Sequence, residues 1–183
     1  MPDDLGWGRA DRPLIHVSWE DATAYAEWLA KKNGELYRLP IEAEWEFAAR
    51  ERGKHIRFGN GKMIADPAEM NFNADERWKT HYSVVGEYRK KTTPVRQFSP
   101  NALGLYDMSG NVWEWCRDWY APEYYEECKA KGVVDNPLGP SKGSYRVYRG
   151  GSWYSNPRDC RAARRGGRPA YRDHYVGFRL AHS

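Results

Sequence analysis

At 183 residues and 21.3 kDa the chain is long enough to bury one real core and too short for two comfortable domains, so a single domain over 1–183 is expected. Its formal net charge of +4 is mild and no stretch approaches the roughly 18 apolar residues of a membrane span. The opening Met-Pro-Asp-Asp-Leu-Gly-Trp-Gly has no signal-peptide core, so a cytoplasmic location is the default expectation. Hydrophobic residues make up 40% of the chain while mean hydropathy is −0.91, because 9 Trp and 13 Tyr carry much of the apolar content. A core of that kind needs polar partners for its ring N–H and O–H groups.

Residues 1–14 are rich in Asp, Gly and Pro and lead into a short strand predicted over Leu14 to Val17. A helix follows. Ser18 with Asp21 three residues on is an N-terminal capping pattern, Ala22, Tyr25, Ala26 and Leu29 repeat at helical spacing, and Asn33-Gly34 supplies the stop. Leu36 to Leu39 is extended up to Pro40. A second helix is predicted over about Glu42 to Arg50, with Ala43, Trp45, Phe47 and Ala48 inside and glutamates in its first turn. From Gly53 to Pro94 the period is lost, and so much irregular chain calls for an anchor such as a metal or a dense hydrogen-bond net. Gly110 to Cys116 alternates as a central strand, residues 121–145 read as loop, and Val176, Phe178 and Leu180 alternate with Gly177 and Arg179 as a half-buried strand. No internal repeat is present.

The three cysteines, Cys116, Cys128 and Cys160, have neither CxxC nor Cys/His spacing, so no zinc site or disulfide framework is implied. His16, His55, His81, His174 and His182 show no ligand or triad spacing. After Lys142 every basic residue but His is Arg. A basic tail can bind nucleic acid. Arg in place of Lys also suits bidentate pairing to the chain's own carboxylates and stacking on aromatic rings, and that reading is preferred. Within Arg146 to Ala181, frame-like residues alternate with Tyr, Ser, Asn, Asp and Gly that follow no hydrophobic period. That mixture suits a binding surface, and it equally suits an ordinary polar loop.

Four blocks, YRLPIEAEWEFAAR (37–50), SPNALGLYDMSGNVWEW (99–115), RVYRGGSW (146–153) and VGFRLA (176–181), together resemble the formylglycine-generating enzyme, or sulfatase-modifying factor, family. The resemblance implies an α+β fold, a variant of the C-type lectin fold with two helices, a small twisted antiparallel sheet and much loop. The family's enzymes oxidise a substrate cysteine with a pair of reactive cysteines just beyond the RGGS block, understood as a copper site. Here that segment, Tyr154 to Asp159, has no cysteine, and Cys160 reads as a small buried hydrophobe. Without two thiolates a copper(I) site is not expected.

A second branch, the variable proteins of diversity-generating retroelements, is similar in its interleaving. Their variable codons derive from asparagine codons mutated at adenines, which excludes Lys, Glu, Gln, Met and Trp. None of those five stands at Tyr148, Tyr154, Ser155, Asn156, Asp159, Arg164, Gly166, Gly167, Arg168, Tyr171, Asp173, His174 or Tyr175. The resemblance therefore implies a non-enzymatic display protein with a variable surface over about 146–181 and a protein ligand. The alternative is an oxidase or an accessory domain of an iron or copper enzyme. It also implies structural calcium at Gly110, Val112 and Glu114, and at Asn71 and Phe72 with an acidic partner such as Glu87. For Glu114 a buried ion pair with a C-terminal arginine competes with calcium.

Overall fold

The computed structural model describes residues 2–182; Met1 and Ser183, the ends of the domain expected over 1–183, lie outside the described residues. The first helix, α1 (Trp19–Asn33), starts and stops on local chemistry. Ser18 Oγ accepts the Asp21 N–H at 3.1 Å, the Asp21 carboxylate accepts the Ser18 N–H at 2.8 Å, and Gly34 closes the helix at φ 73°. Ala22 and Ala26 are its buried positions, while Tyr25 stays exposed. Strand β1 (Tyr37–Arg38) precedes α2 (Glu42–Ala49), whose buried residues are Glu42, Trp45 and Ala49. Phe47, expected inside, is 56% exposed, because Trp45 and Ala49 form the inward stripe of this short helix.

A four-stranded sheet carries the rest, in the order β4–β3–β2–β5: β2 (Trp113–Trp119), β3 (Arg146–Arg149), β4 (Arg165–Arg168) and β5 (Val176–Gly177). β2 and β3 pair antiparallel with Glu114 opposite Arg149, β3 and β4 antiparallel with Tyr148 opposite Gly166, and β5 lies parallel to β2 with Trp113 opposite Val176. A separate two-stranded ladder joins β1 to β6 (Ala181–His182). β2 begins at Trp113 rather than Gly110, and its first four residues are all buried rather than alternating, as fits a central strand covered on both faces.

Three further expectations are corrected. Leu14 to Val17 is not a strand: His16 sits at φ 55° and breaks the extended run, and its N–H bonds the Asp173 carbonyl instead. The stretch 121–145 is not all loop, since α3 (Tyr124–Lys131) forms within it, with no buried residue and therefore no apolar stripe to betray it. The half-buried strand of 176–180 reduces to β5, and Phe178 and Leu180 are only partly buried against the core.

Three indole donors find acceptors in or beside the core. Trp19 Nε1 donates to the Cys116 carbonyl at 2.9 Å, Trp115 Nε1 to the Val17 carbonyl at 3.1 Å and Trp45 Nε1 to Glu114 at 2.6 Å. The irregular chain of 53–112 is anchored by a buried amide net. Asn111 Oδ1 accepts the Thr93 N–H at 2.9 Å, its N–H reaches the Asn71 carbonyl at 2.8 Å, and Asn71 Nδ2 donates to the Lys91 carbonyl at 2.9 Å. Gly110 makes that approach possible: at φ 81°, a Cβ there would lie 2.3 Å from the Asn71 carbonyl oxygen.

Candidate functional site

Arginines of the C-terminal stretch divide into two sets. One set builds the frame. Arg149, wholly buried, donates to Glu42 and Glu46 of α2, both at 2.6 Å, and to the Ala162 carbonyl at 2.7 Å. Arg165 grips the same Glu42 through two bonds at 2.9 and 2.7 Å. Arg179 donates to both oxygens of Glu114 at 2.6 Å. Arg165 and Arg179 form the bidentate pairs, and Arg149 the two-carboxylate bridge, for which Arg, with its planar fork, is suited and Lys is not. The other set is paired close by in sequence: the exposed Arg164 with Asp159 at 2.9 Å and the buried Arg168 with Asp173 at 2.9 Å.

From Arg149 the chain turns through Gly150 and Gly151, at φ 96° and 75°, and enters the stretch 152–159. Gly151 must lack a side chain, since its Cβ would stand 2.6 Å from Cys160 Sγ. That packing places Cys160 among Phe58, Met70 and Phe72, and burial pushes its thiol far above its ordinary pKa. Cys116 is likewise buried, its thiol pushed up by burial. Neither sulfur is an exposed thiolate.

Beyond this turn opens a cleft of about 430 Å³. Tyr148, Tyr154, Ser155, Asn156, Asp159, Arg164, Gly166 and Tyr175 line it, so strands β3 and β4 and two loops bring residues that are up to 27 positions apart in sequence to one place. Tyr154 is 59% exposed. Its ring lies nearly parallel to that of Tyr175 (6.3 Å, 16°) and edge-on to Trp153 (5.4 Å, 68°). Asn156 Nδ2 donates to Asp159 at 2.9 Å. Burial raises the hydroxyl pKa of Tyr148 and of Tyr175, which keeps both phenols neutral. The surface expected to be an open Tyr-rich patch is therefore concave.

The remaining five positions named from the sequence fall elsewhere. Strand alternation sends Gly167 to the opposite face from Gly166, under Tyr120, whose Cγ would be 2.2 Å from an added Cβ. Arg168 is 8% exposed, and its guanidinium lies near Tyr148, Tyr171 and Tyr175. Asp173 supports it: burial works against the carboxylate's charge, but Arg168 and the His174 N–H hold its pKa below the ordinary value. Arg168 and Asp173 thus brace the site from behind. His174 packs on Trp153 and Tyr175, and Tyr171 is exposed beyond the rim. Trp113 lies beside Tyr148 and Ser152 beside Ser155, while sequence reasoning missed the part of the lining made of Asn73, Arg77, Trp78 and Tyr88. Its one local signal was Asp75, which caps the 3₁₀ turn Glu76–Trp78 and fixes Trp78 outward.

Where calcium was expected, Glu114 already holds Arg179 on both oxygens and Trp45 on one, the ion pair that competed with it. Glu87 is 68% exposed and pairs with Arg89. Asn71 Oδ1 is buried without a partner. Among the described residues no group of three or more His, Cys, Asp or Glu is placed to hold a metal, and no helix is long and apolar enough to cross a membrane.

The chain is 40% identical over 178 residues to a formylglycine-generating enzyme of Streptomyces coelicolor, covering 95% of this chain and 54% of the enzyme. It thus spans about half the length of that relative. Among solved structures, PvdO from Pseudomonas aeruginosa superposes with a TM-score of 0.72 at 30% identity, over 96% of this chain and 63% of PvdO. Treponema denticola variable protein 1 superposes with 0.65 at 26% identity, over 98% and 74%. Residues 5–183 match the sulfatase-modifying factor enzyme 1-like domain, and the chain belongs to that family.

Proposed function

We propose that this chain is a non-enzymatic binding module, that the cleft is its recognition site, and that a diversity-generating retroelement varies the C-terminal wall. One observation carries the reading: Tyr148, Tyr154 to Asn156, Asp159, Arg164, Gly166 and Tyr175, all residue types that adenine-mutated asparagine codons encode, converge on one cleft, while Arg149, Trp153, Cys160 and Ala162 between them are buried. The similarity to a Treponema variable protein supports it. The test is genomic. A reverse transcriptase gene and a near-identical repeat that differs at template adenines are expected close to this gene, and a genome without such a repeat overturns the diversification.

The oxidase reading draws on the Streptomyces enzyme. Against it stand the buried Cys160 and its raised thiol pKa, which leave the cleft without a thiolate to act as nucleophile or soft ligand. Incubation with copper(I), dioxygen and a cysteine-containing peptide is expected to yield no formylglycine, and Cys160→Ser to fold as wild type does. For calcium, Asn71 with its unpartnered Oδ1 is the position we retain, because Glu114 is taken by Arg179. A rise in Tm with millimolar calcium that Asn71→Leu removes is the expected result.

A further inference from the structure

The cleft has a wall that the C-terminal stretch does not supply. Arg77 and Trp78 come from the 3₁₀ turn Glu76–Trp78, and Tyr88 from the loop after it. This turn is rigidly made: Asp75 accepts the Arg77 N–H on its carboxylate at 3.1 Å and the Trp78 N–H on its carbonyl at 2.9 Å, and the Lys79 N–H closes on the Glu76 carbonyl at 3.0 Å. A stiff turn thus holds a 45% exposed indole at the edge of a cleft. Tyr88 packs on the buried Trp153, its ring nearly parallel (6.3 Å, 19°), and Trp153 in turn meets Tyr154, which also lines the cleft.

Charge does not distinguish a ligand here. Arg77 is balanced by Asp75 and Arg164 by Asp159, both at 2.9 Å, so these exposed pairs, weak in themselves, leave no net charge there to favour an ion. What remains uncommitted is the exposed indole of Trp78, with Tyr88 beside it already packed on Trp153. A volume of about 430 Å³ falls in the range of sites that enclose a small group, about 300–1,000 Å³, rather than a flat epitope. Rigid Trp and Tyr at the centre of a contact are the residues that most often carry its energy.

We propose that Trp78 and Tyr88 form a constant anchor that takes an uncharged aromatic side chain, Tyr, Phe or Trp, from a protruding turn of a protein partner. The C-terminal wall then reads the residues around that side chain. This inference rests on the binding-module reading, and it makes part of the affinity independent of the variable residues.

The experiment titrates the full chain with N-acetyl-tyrosinamide, N-acetyl-leucinamide, N-acetyl-glutamate amide and methyl glucoside, following indole N–H signals by NMR, with that of Trp78 assigned from its loss in Trp78→Phe. N-acetyl-tyrosinamide is expected to shift the Trp78 signal, with saturation at millimolar concentration and at least tenfold tighter binding than the other three. Tyr88→Ala and Trp78→Ala are expected to weaken it tenfold or more at an unchanged Tm. Arg77→Ala and Tyr154→Ser are expected to change it threefold or less. Preference for the glucoside or the glutamate, no binding by any probe, or loss in Tyr154→Ser with Trp78→Ala unaffected overturns the anchor. Should Trp78→Ala lower the Tm, Trp78→Phe, which keeps a ring, decides by retaining tyrosinamide binding within threefold. The template repeat is read separately: its absence removes diversification and leaves a measured anchor standing, while its presence without tyrosinamide binding removes the anchor alone.

Discussion

Frame and cleft use the same chemistry at different range. In the frame, Arg149 reaches Glu42 across 107 residues, Arg165 reaches Glu42 across 123, and Arg179 reaches Glu114 across 65. In the cleft, Arg164 and Asp159 are five residues apart and Asn156 bonds Asp159 three residues on, and behind it Arg168 and Asp173 are likewise five apart. Frame pairs therefore hold helix α2 to the sheet and the chain end to β2, whereas cleft pairs hold only their own loop. A change in the frame is transmitted through the molecule, and one in the cleft is not.

The largest expected effect breaks the frame. Glu42→Ala removes both carboxylate bonds of the half-buried Arg165 and one of the wholly buried Arg149, which keeps Glu46 and the Ala162 carbonyl, and losing one partner of a buried pair costs about 3–5 kcal/mol, read from denaturant unfolding. Next comes Asp118 on β2, which accepts the Glu42 N–H at 2.8 Å. Burial, aided by the charge of Glu42, raises its carboxyl from 3.8 to about 6. A native pKa above the unfolded one means that the native state binds the proton more tightly. The stability that this gives is fully present below about 3.8 and is lost as pH rises through about 6. Relative to Asp118→Asn, which cannot titrate, wild type is expected to lose about 3 kcal/mol of unfolding free energy between pH 3 and pH 7; a constant difference across that range would sharpen nothing and remove the frame's acidic dependence.

Smaller effects test the cleft. Gly167→Asn sets a side chain against the Tyr120 ring and is expected to cost about 1–3 kcal/mol, although Gly166, its neighbour, faces the cleft. Tyr154, Ser155 and Tyr171, replaced singly by Asn, are expected to change stability by less than about 0.5 kcal/mol each, measured as thermal unfolding. Collapse of the fold when all three are changed together would erase the contrast between the two regions.

What could be read in the sequence follows the same division. α1 was legible because its signals, Ser18, Asp21 and Gly34, act within one turn of the residues they cap. The preference of Arg over Lys was legible as pairing to the chain's own carboxylates, but not which carboxylate, since Glu42 lies more than 100 residues from both arginines that hold it. α3 escaped because an exposed helix has no period to read. Phe47 was misplaced because an eight-residue helix buries a narrower stripe than its apolar content suggests. The C-terminal cleft residues could be named from their types, yet that they form a concave site could not, because the wall with Arg77, Trp78 and Tyr88 comes from aperiodic chain positioned by the Asn71, Thr93 and Asn111 amide net.

Short ion pairs in the cleft set how its mutations combine. Residues without a shared partner add their effects to within about 0.3–0.5 kcal/mol, while residues in contact do not. Tyr154 and Tyr171 can be varied without regard to each other. Asp159 cannot be varied without regard to Arg164 and Asn156, nor Arg168 without Asp173. Exchanging blocks that keep each of these groups whole would preserve the bonds that shuffling single positions would break.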